Sequence, residues 1–178
     1  ALGARNTASG LRSVAIGKDN NATAEDTIAM GKANTAAVGG AVAIGMDNVA
    51  NSTLNGGRAE GNSMVAIGKA NKATKEDTVA VGRENTASGN VSVAIGARTE
   101  ATNSGSIAIA GNGDGYKTTS TGFGSIAIGM QSNSTGTAST AVGGVAQATA
   151  KGASALGYKA NATAESATAL GQESVASV

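Results

Sequence analysis

The chain has 178 residues, 27 of them Gly, with no His, Cys or Pro, three aromatics and a formal charge of +1. That composition excludes a His general base, a Ser-His-Asp triad, a His- or thiolate-held metal and a disulfide, and no residue set calls for a cofactor. It also lacks the basic patch and stacking aromatics that nucleic acid requires, and no apolar run approaches the roughly 18 residues that would enter a membrane.

Val, Ile, Leu and Phe total only 28 residues against 38 Ala. This is too little bulk for an ordinary core, yet the low net charge is not that of a disordered chain. A fixed period resolves the conflict. The tripeptide Ala–aliphatic–Gly ends at Gly3, Gly17, Gly31 and Gly45, then at Gly68, Gly82 and Gly96. A copy with Ala in the last place, Ala108-Ile109-Ala110, follows, and then Gly129, Gly143, Gly157 and Gly171. Nine of the eleven steps are 14 residues; the others, 23 and 19, mark two insertions in one array.

Within each copy the pattern alternates with period two, the signature of strands rather than helix. A short strand carries β-branched residues such as Val14, Ile28 and Val42 on one face and an unbroken Ala column on the other. The motif Gly then turns the backbone. A second short strand follows, with small residues (Asn20, Ala22, Ala24) alternating with polar ones (Asp19, Asn21). Such a unit buries nothing alone, but stacked copies predict an all-β parallel solenoid with coils about 4.8 Å apart.

The first strand is apolar on both faces, as strands covered on both sides are. Nothing else in the chain supplies that cover, so other copies of the chain are expected to, through the Ala column or the aliphatic column. The residues singled out as trimer or core columns are Ala15, Ile16, Ala29, Ala43, Ile44, Ala66, Ile67, Ala94, Ile95, Ala127 and Ile128.

The insertions, near residues 51–58 and 111–117, hold the candidate ligand contacts. In the first, Asn55-Gly56-Gly57 signals a turn, with Arg58 and Glu60 beside it. The alternative is a bulged coil that binds nothing. The second offers Asn112, Asp114, Tyr116 and Lys117, with Phe123 just after. Its aromatics are either partner anchors or local packing over a broken coil. Its Gly-Asn-Gly-Asp-Gly run lacks the carboxylate series of a calcium loop and the Lys-Ser/Thr of a phosphate loop, so it reads as a flexible turn.

The unit Ser13-Val14-Ala15-Ile16-Gly17, with Asn20, Ala22 and Ala24, and the unit Ser92-Val93-Ala94-Ile95-Gly96 resemble the head repeat of YadA-like trimeric autotransporter adhesins. The resemblance covers nearly the whole chain and implies a left-handed parallel β-roll, residues 1–178 as one head domain, and assembly as a homotrimer. It implies display at the cell surface, outside the outer membrane of a Gram-negative bacterium, and non-enzymatic attachment to host cells or matrix proteins of the collagen, fibronectin or laminin class. This fragment itself is not expected to enter the membrane. Asn stands where the family more often has Ser. The neck, stalk and membrane anchor are not recognisable, so the chain is expected to be a head fragment. Rival readings are a structural spacer that projects another binding domain, an ice-binding solenoid built on the recurring Thr six residues after the motif Gly, and a hexapeptide acyltransferase. The 14-residue period and the lack of His count against the last.

Overall fold

The computed structural model describes residues 1–52, 63–110 and 115–178. They form two compact units, Ala1–Val91 and Ser92–Val178, each a parallel β-solenoid of six coils with one strand of each coil in each of two sheets. In the first unit the first sheet runs Leu2–Ala4, Val14–Lys18, Ile28–Lys32, Val42–Met46, Val65–Lys69 and Val79–Arg83. The second runs Thr7–Ala8, Asn21–Ala22, Thr35–Ala36, Val49–Ala50, Lys72–Ala73 and Thr86–Ala87. In the second unit the first sheet holds Val93–Ala97, Ile107–Ala110, Ile126–Ile128, Thr140–Val142, Ser154–Leu156 and Thr168–Leu170. Its companion sheet holds Thr99–Ala101, Thr118–Ser120, Asn133–Ser134, Gln147–Ala148, Asn161–Ala162 and Val175–Ala176.

Register follows the repeat. Val14 pairs with Ile28 and Ala15 with Ala29, and so on up the sheet, so identical motif positions stack. Val42 pairs with Val65 and Val49 with Lys72, a step of 23 residues that absorbs the first insertion without breaking either sheet. Thr99 pairs with Thr118, absorbing the second.

The core is the thin space between the two sheets. Ala15, Ala29, Ala43, Ala66, Ala94 and Ala127 of the first sheet are fully buried, as are Ala22, Ala36, Ala50, Ala73 and Ala148 of the second. The Ala column is therefore core and cannot be the surface that meets another chain. Its small side chains let the two sheets of one coil approach each other. The aliphatic members of the same set, Ile16, Ile44, Ile67, Ile95 and Ile128, alternate with it and face outward, half-buried or exposed.

Among the described residues, left-handed corners recur two and nine residues past the motif position: Asp19 (φ 59°) and Asp26 (φ 56°) in one coil, Gln131 (φ 60°) and Ala138 (φ 54°) in another. Asp tolerates this region better than most residues. The motif Gly has a different need. At Gly31, φ is +116° and an added Cβ would lie 2.0 Å from the Gly45 carbonyl oxygen. Ala110 adopts φ 119° in the same motif place, where it ends its strand.

Candidate binding surfaces

The outer face of the first sheet carries the aliphatics. Val14, Ile95 and Ile128 are 38%, 37% and 37% exposed, and Ile28, Met30, Val42, Ile44, Val65 and Ile67 are half-buried. At the end of this row, the residue after the motif Gly is cationic in four coils of the first unit (Lys18, Lys32, Lys69, Arg83), with Ala4 and Met46 in the other two. In the second unit that position holds no cation among the described residues: Ala97, Met130, Gly144, Tyr158 and Gln172. The Tyr158 ring lies over Gly144, where a Cβ would sit 3.4 Å from its Cδ2, and the Lys159 ammonium stands 5.2 Å from the ring centroid.

Beneath the motif glycines of the first unit runs a buried ladder of carboxamides. Asn20, Asn34, Asn48, Asn71 and Asn85 are essentially without solvent exposure. Asn34 Nδ2 lies 2.9 Å from Asn20 Oδ1, 2.9 Å from the Met30 carbonyl and 2.8 Å from the Gly45 carbonyl. Asn34 Oδ1 in turn accepts from the Asn48 backbone N–H at 3.1 Å and from Asn48 Nδ2 at 2.9 Å. Each amide thus satisfies its own coil, the one before and the one after. Sequence reasoning saw this Asn as a departure from the family pattern. Its recurrence at one position of stacked coils was the signal of a ladder, because stacked identical amides pair with one another.

Ion pairs decorate the corners one coil apart. Arg5 Nη2 donates to Asp19 Oδ2 at 2.8 Å, and Arg12 Nη2 donates to Asp26 Oδ2 at 2.7 Å and to Glu25 Oε1 at 2.6 Å. Hydrogen bonding from Arg5 holds the Asp19 carboxyl below its ordinary value, as that from Arg12 does for Asp26. Both pairs are exposed and screened, so they contribute little to stability.

Of the insertion candidates, Arg58, Glu60, Asn112 and Asp114 lie outside the described residues. Tyr116, 50% exposed, and Lys117 line an open depression of about 450 Å³ on the second unit. Gly115, Thr119, Gln131, Asn133, Val145 and Gln147 complete it. Phe123, 59% exposed, belongs to the other turn of its coil, where its carbonyl accepts from the Ala138 N–H, and it does not line the depression. The structure therefore separates the two aromatics that proximity in sequence had joined. It also adds the carboxamides Gln131, Asn133 and Gln147, whose signal was their recurrence two and four residues past successive motif glycines.

Once the insertion is absorbed, Thr121 takes the place six residues past the motif. Thr102, Thr121, Thr135, Thr149 and Thr163 then form a continuous column over five coils of the second unit, each N–H bonded to the next coil, with Ser177 in the sixth. In the first unit Ser9, Ala37, Asn51 and Ser88 interrupt it.

Among known families, the chain matches the YadA head domain repeat (2 copies) over residues 1–20, 22–48, 59–85, 87–109, 120–146 and 148–174. No curated protein matches it. The matched stretches contain the motif glycines, the Ala core column and the outward aliphatic row of both units, and the family is one of adhesins rather than enzymes. With the repeat carried through nearly every coil, the chain belongs to the YadA head domain family, as a YadA-like head of a trimeric autotransporter adhesin.

Proposed function

We propose that the chain works as the head of a surface adhesin: three left-handed rolls packed through their outward aliphatic faces, held beyond the outer membrane, and attaching to host matrix proteins of the collagen, fibronectin or laminin class. The observation that carries this reading is the half-exposed aliphatic row of the first sheet. An apolar strip of that kind is ordinarily covered by a partner, and in this family a second and third copy are the natural cover. Packing three chains leaves the outer faces of the second sheets toward the medium. Weak contacts repeated along coils and across three chains then add through effective concentration.

The test is saturable binding of the purified chain to immobilised collagen, fibronectin and laminin, each beside an albumin control. Binding to at least one above the control is expected; absence of binding to all three removes the matrix-adhesin reading. A second reading, ice binding, draws on the five-coil Thr column of the second unit. That column lacks a parallel partner, since the neighbouring outward positions are Glu100, Thr119, Asn133, Gln147 and Asn161. Thermal hysteresis in a freezing assay would favour it. A spacer that only projects another domain would show neither activity.

A further inference from the structure

We propose that the depression beside the second insertion is a binding site for a short, uncharged saccharide. Its size falls within the range of small-ligand sites, but its lining is unusually polar. Gln131, Asn133 and Gln147 each bring a carboxamide, which offers two donors and an acceptor, the combination that vicinal hydroxyls of a sugar require. Thr119 Oγ1 donates to Asn133 Oδ1 at 2.8 Å. That bond fixes the Asn133 amide and leaves its Nδ2 without an acceptor among the described residues. Asn133 and Gln147 open successive strands of the second sheet and are paired in register, so their amides stand one coil apart on rigid backbone rather than on loops. Such groups give affinity because little ordering remains to be done on binding.

Charge selects among ligands. The one charged residue of the lining, Lys117, is paired with Glu100. A sulfated or carboxylated polymer therefore meets no uncompensated cation here. A protein partner would need apolar anchors at the centre of its contact, and the depression offers only Val145 and the Tyr116 ring. The half-exposed Tyr116 ring suits the C–H face of a sugar, whose weakly positive hydrogens meet the negative face of the π-system. The proposal depends on the adhesin reading only in requiring that this outer face be open to the medium.

The test titrates the full chain, labelled with ¹⁵N, with cellobiose, lactose and maltose. A heparin tetrasaccharide serves as the anionic arm and a triple-helical collagen peptide as the protein arm. At least one neutral disaccharide is expected to bind saturably and to shift the side-chain amide signals of Gln131, Asn133 and Gln147. Tyr116→Ala and Gln147→Ala, with circular dichroism confirming the fold, should each weaken binding about tenfold, the cost of one well-made contact. The proposal is overturned if none of the three sugars shifts those amides, if both variants bind as the parent does, or if only the heparin fragment or the collagen peptide shifts them. Binding of the chain to matrix proteins without any saccharide response overturns this proposal and leaves the adhesin reading standing.

Discussion

The corner after the motif glycine is built in two ways, and the two units divide them. In the first unit a buried Asn three residues on donates to the motif carbonyl of the following coil, as Asn34 does to Gly45, and its own N–H is taken by the amide of the coil before. The strand then runs one residue past the glycine and is five residues long, as in Ile28–Lys32. In the last four coils of the second unit the third position is Ser132, Ala146, Ala160 or Ser174. There the motif carbonyl accepts from the N–H of its own coil, at 3.1 Å for Gly129 and Ser132 and 3.3 Å for Gly157 and Ala160. The strand stops after three residues, as in Ser154–Leu156. One fold thus has a cross-coil amide ladder in one unit and a local turn in the other, where buried Ser and Thr such as Ser120 and Ser134 give way to an all-Ala interior from Ala141 onward. Where the ladder exists, the coils are coupled through side chains as well as backbone, and a single loss is felt on both sides.

The largest contrast lies at the motif glycine itself. Gly31→Ala drives a Cβ to 2.0 Å from a neighbouring backbone oxygen and should cost more than about 4 kcal/mol, or prevent folding. Gly171→Ala meets nothing within 4 Å at a similar φ of +111°, and should cost only the strain of that backbone, about 1–3 kcal/mol. Urea unfolding of the two variants reads the difference.

Next comes the ladder. Asn34→Ala removes the side-chain bonds to the Met30 and Gly45 carbonyls and to Asn20 Oδ1, and leaves the buried Asn48 N–H without its acceptor, for an expected loss of about 2–5 kcal/mol. Ser132→Ala removes one hydroxyl bond to its own coil, at 2.9 Å to the Gly129 carbonyl, for about 1 kcal/mol. Equal losses in denaturant titration would mean that the ladder does not couple coils. A smaller effect of opposite sign is expected at Ala110. Replacing it by Gly relieves a φ of 119° and should raise stability by about 1 kcal/mol.

The smallest effect is in pH. Asp19 and Asp26 are held below their ordinary values by hydrogen bonds from Arg5 and Arg12. A carboxyl depressed on folding adds stability that is complete above its unfolded value, about 3.9, and is lost as pH falls through the folded value. The melting temperature should therefore drop slightly further between pH 5 and pH 2, by the order of these groups' titration range, in the parent than in Asp26→Asn. Added salt should shrink the gap, since both partners are exposed.

The solenoid was legible in the sequence because period and alternation agree: Val14-Ala15-Ile16-Gly17 repeats with its register built in. Which face lies inside was not, because alternation separates two faces without ordering them. The volume of Ala decides it, since only a small side chain fits between sheets brought this close, and that places Ile16 and Ile44 outside. The ladder is hidden within any single unit: Asn34 reads as a departure from the family pattern until it is set between Asn20 and Asn48, above and below it. At the second insertion the hidden register was the obstacle. Counting from Thr118 rather than from Ala110 aligns Thr121 with Thr135, parts Phe123 from Tyr116, and brings Gln131, Asn133 and Gln147 beside the latter.

The account stands most directly on the outward aliphatic row, whose cover is assigned to other copies of the chain. Light scattering of the purified protein measures this. The account predicts three times the 16.9 kDa chain mass for the parent, with Ile44→Lys shifting the mass toward one chain while the coils stay folded by circular dichroism. A folded, soluble parent at the mass of one chain would contradict it.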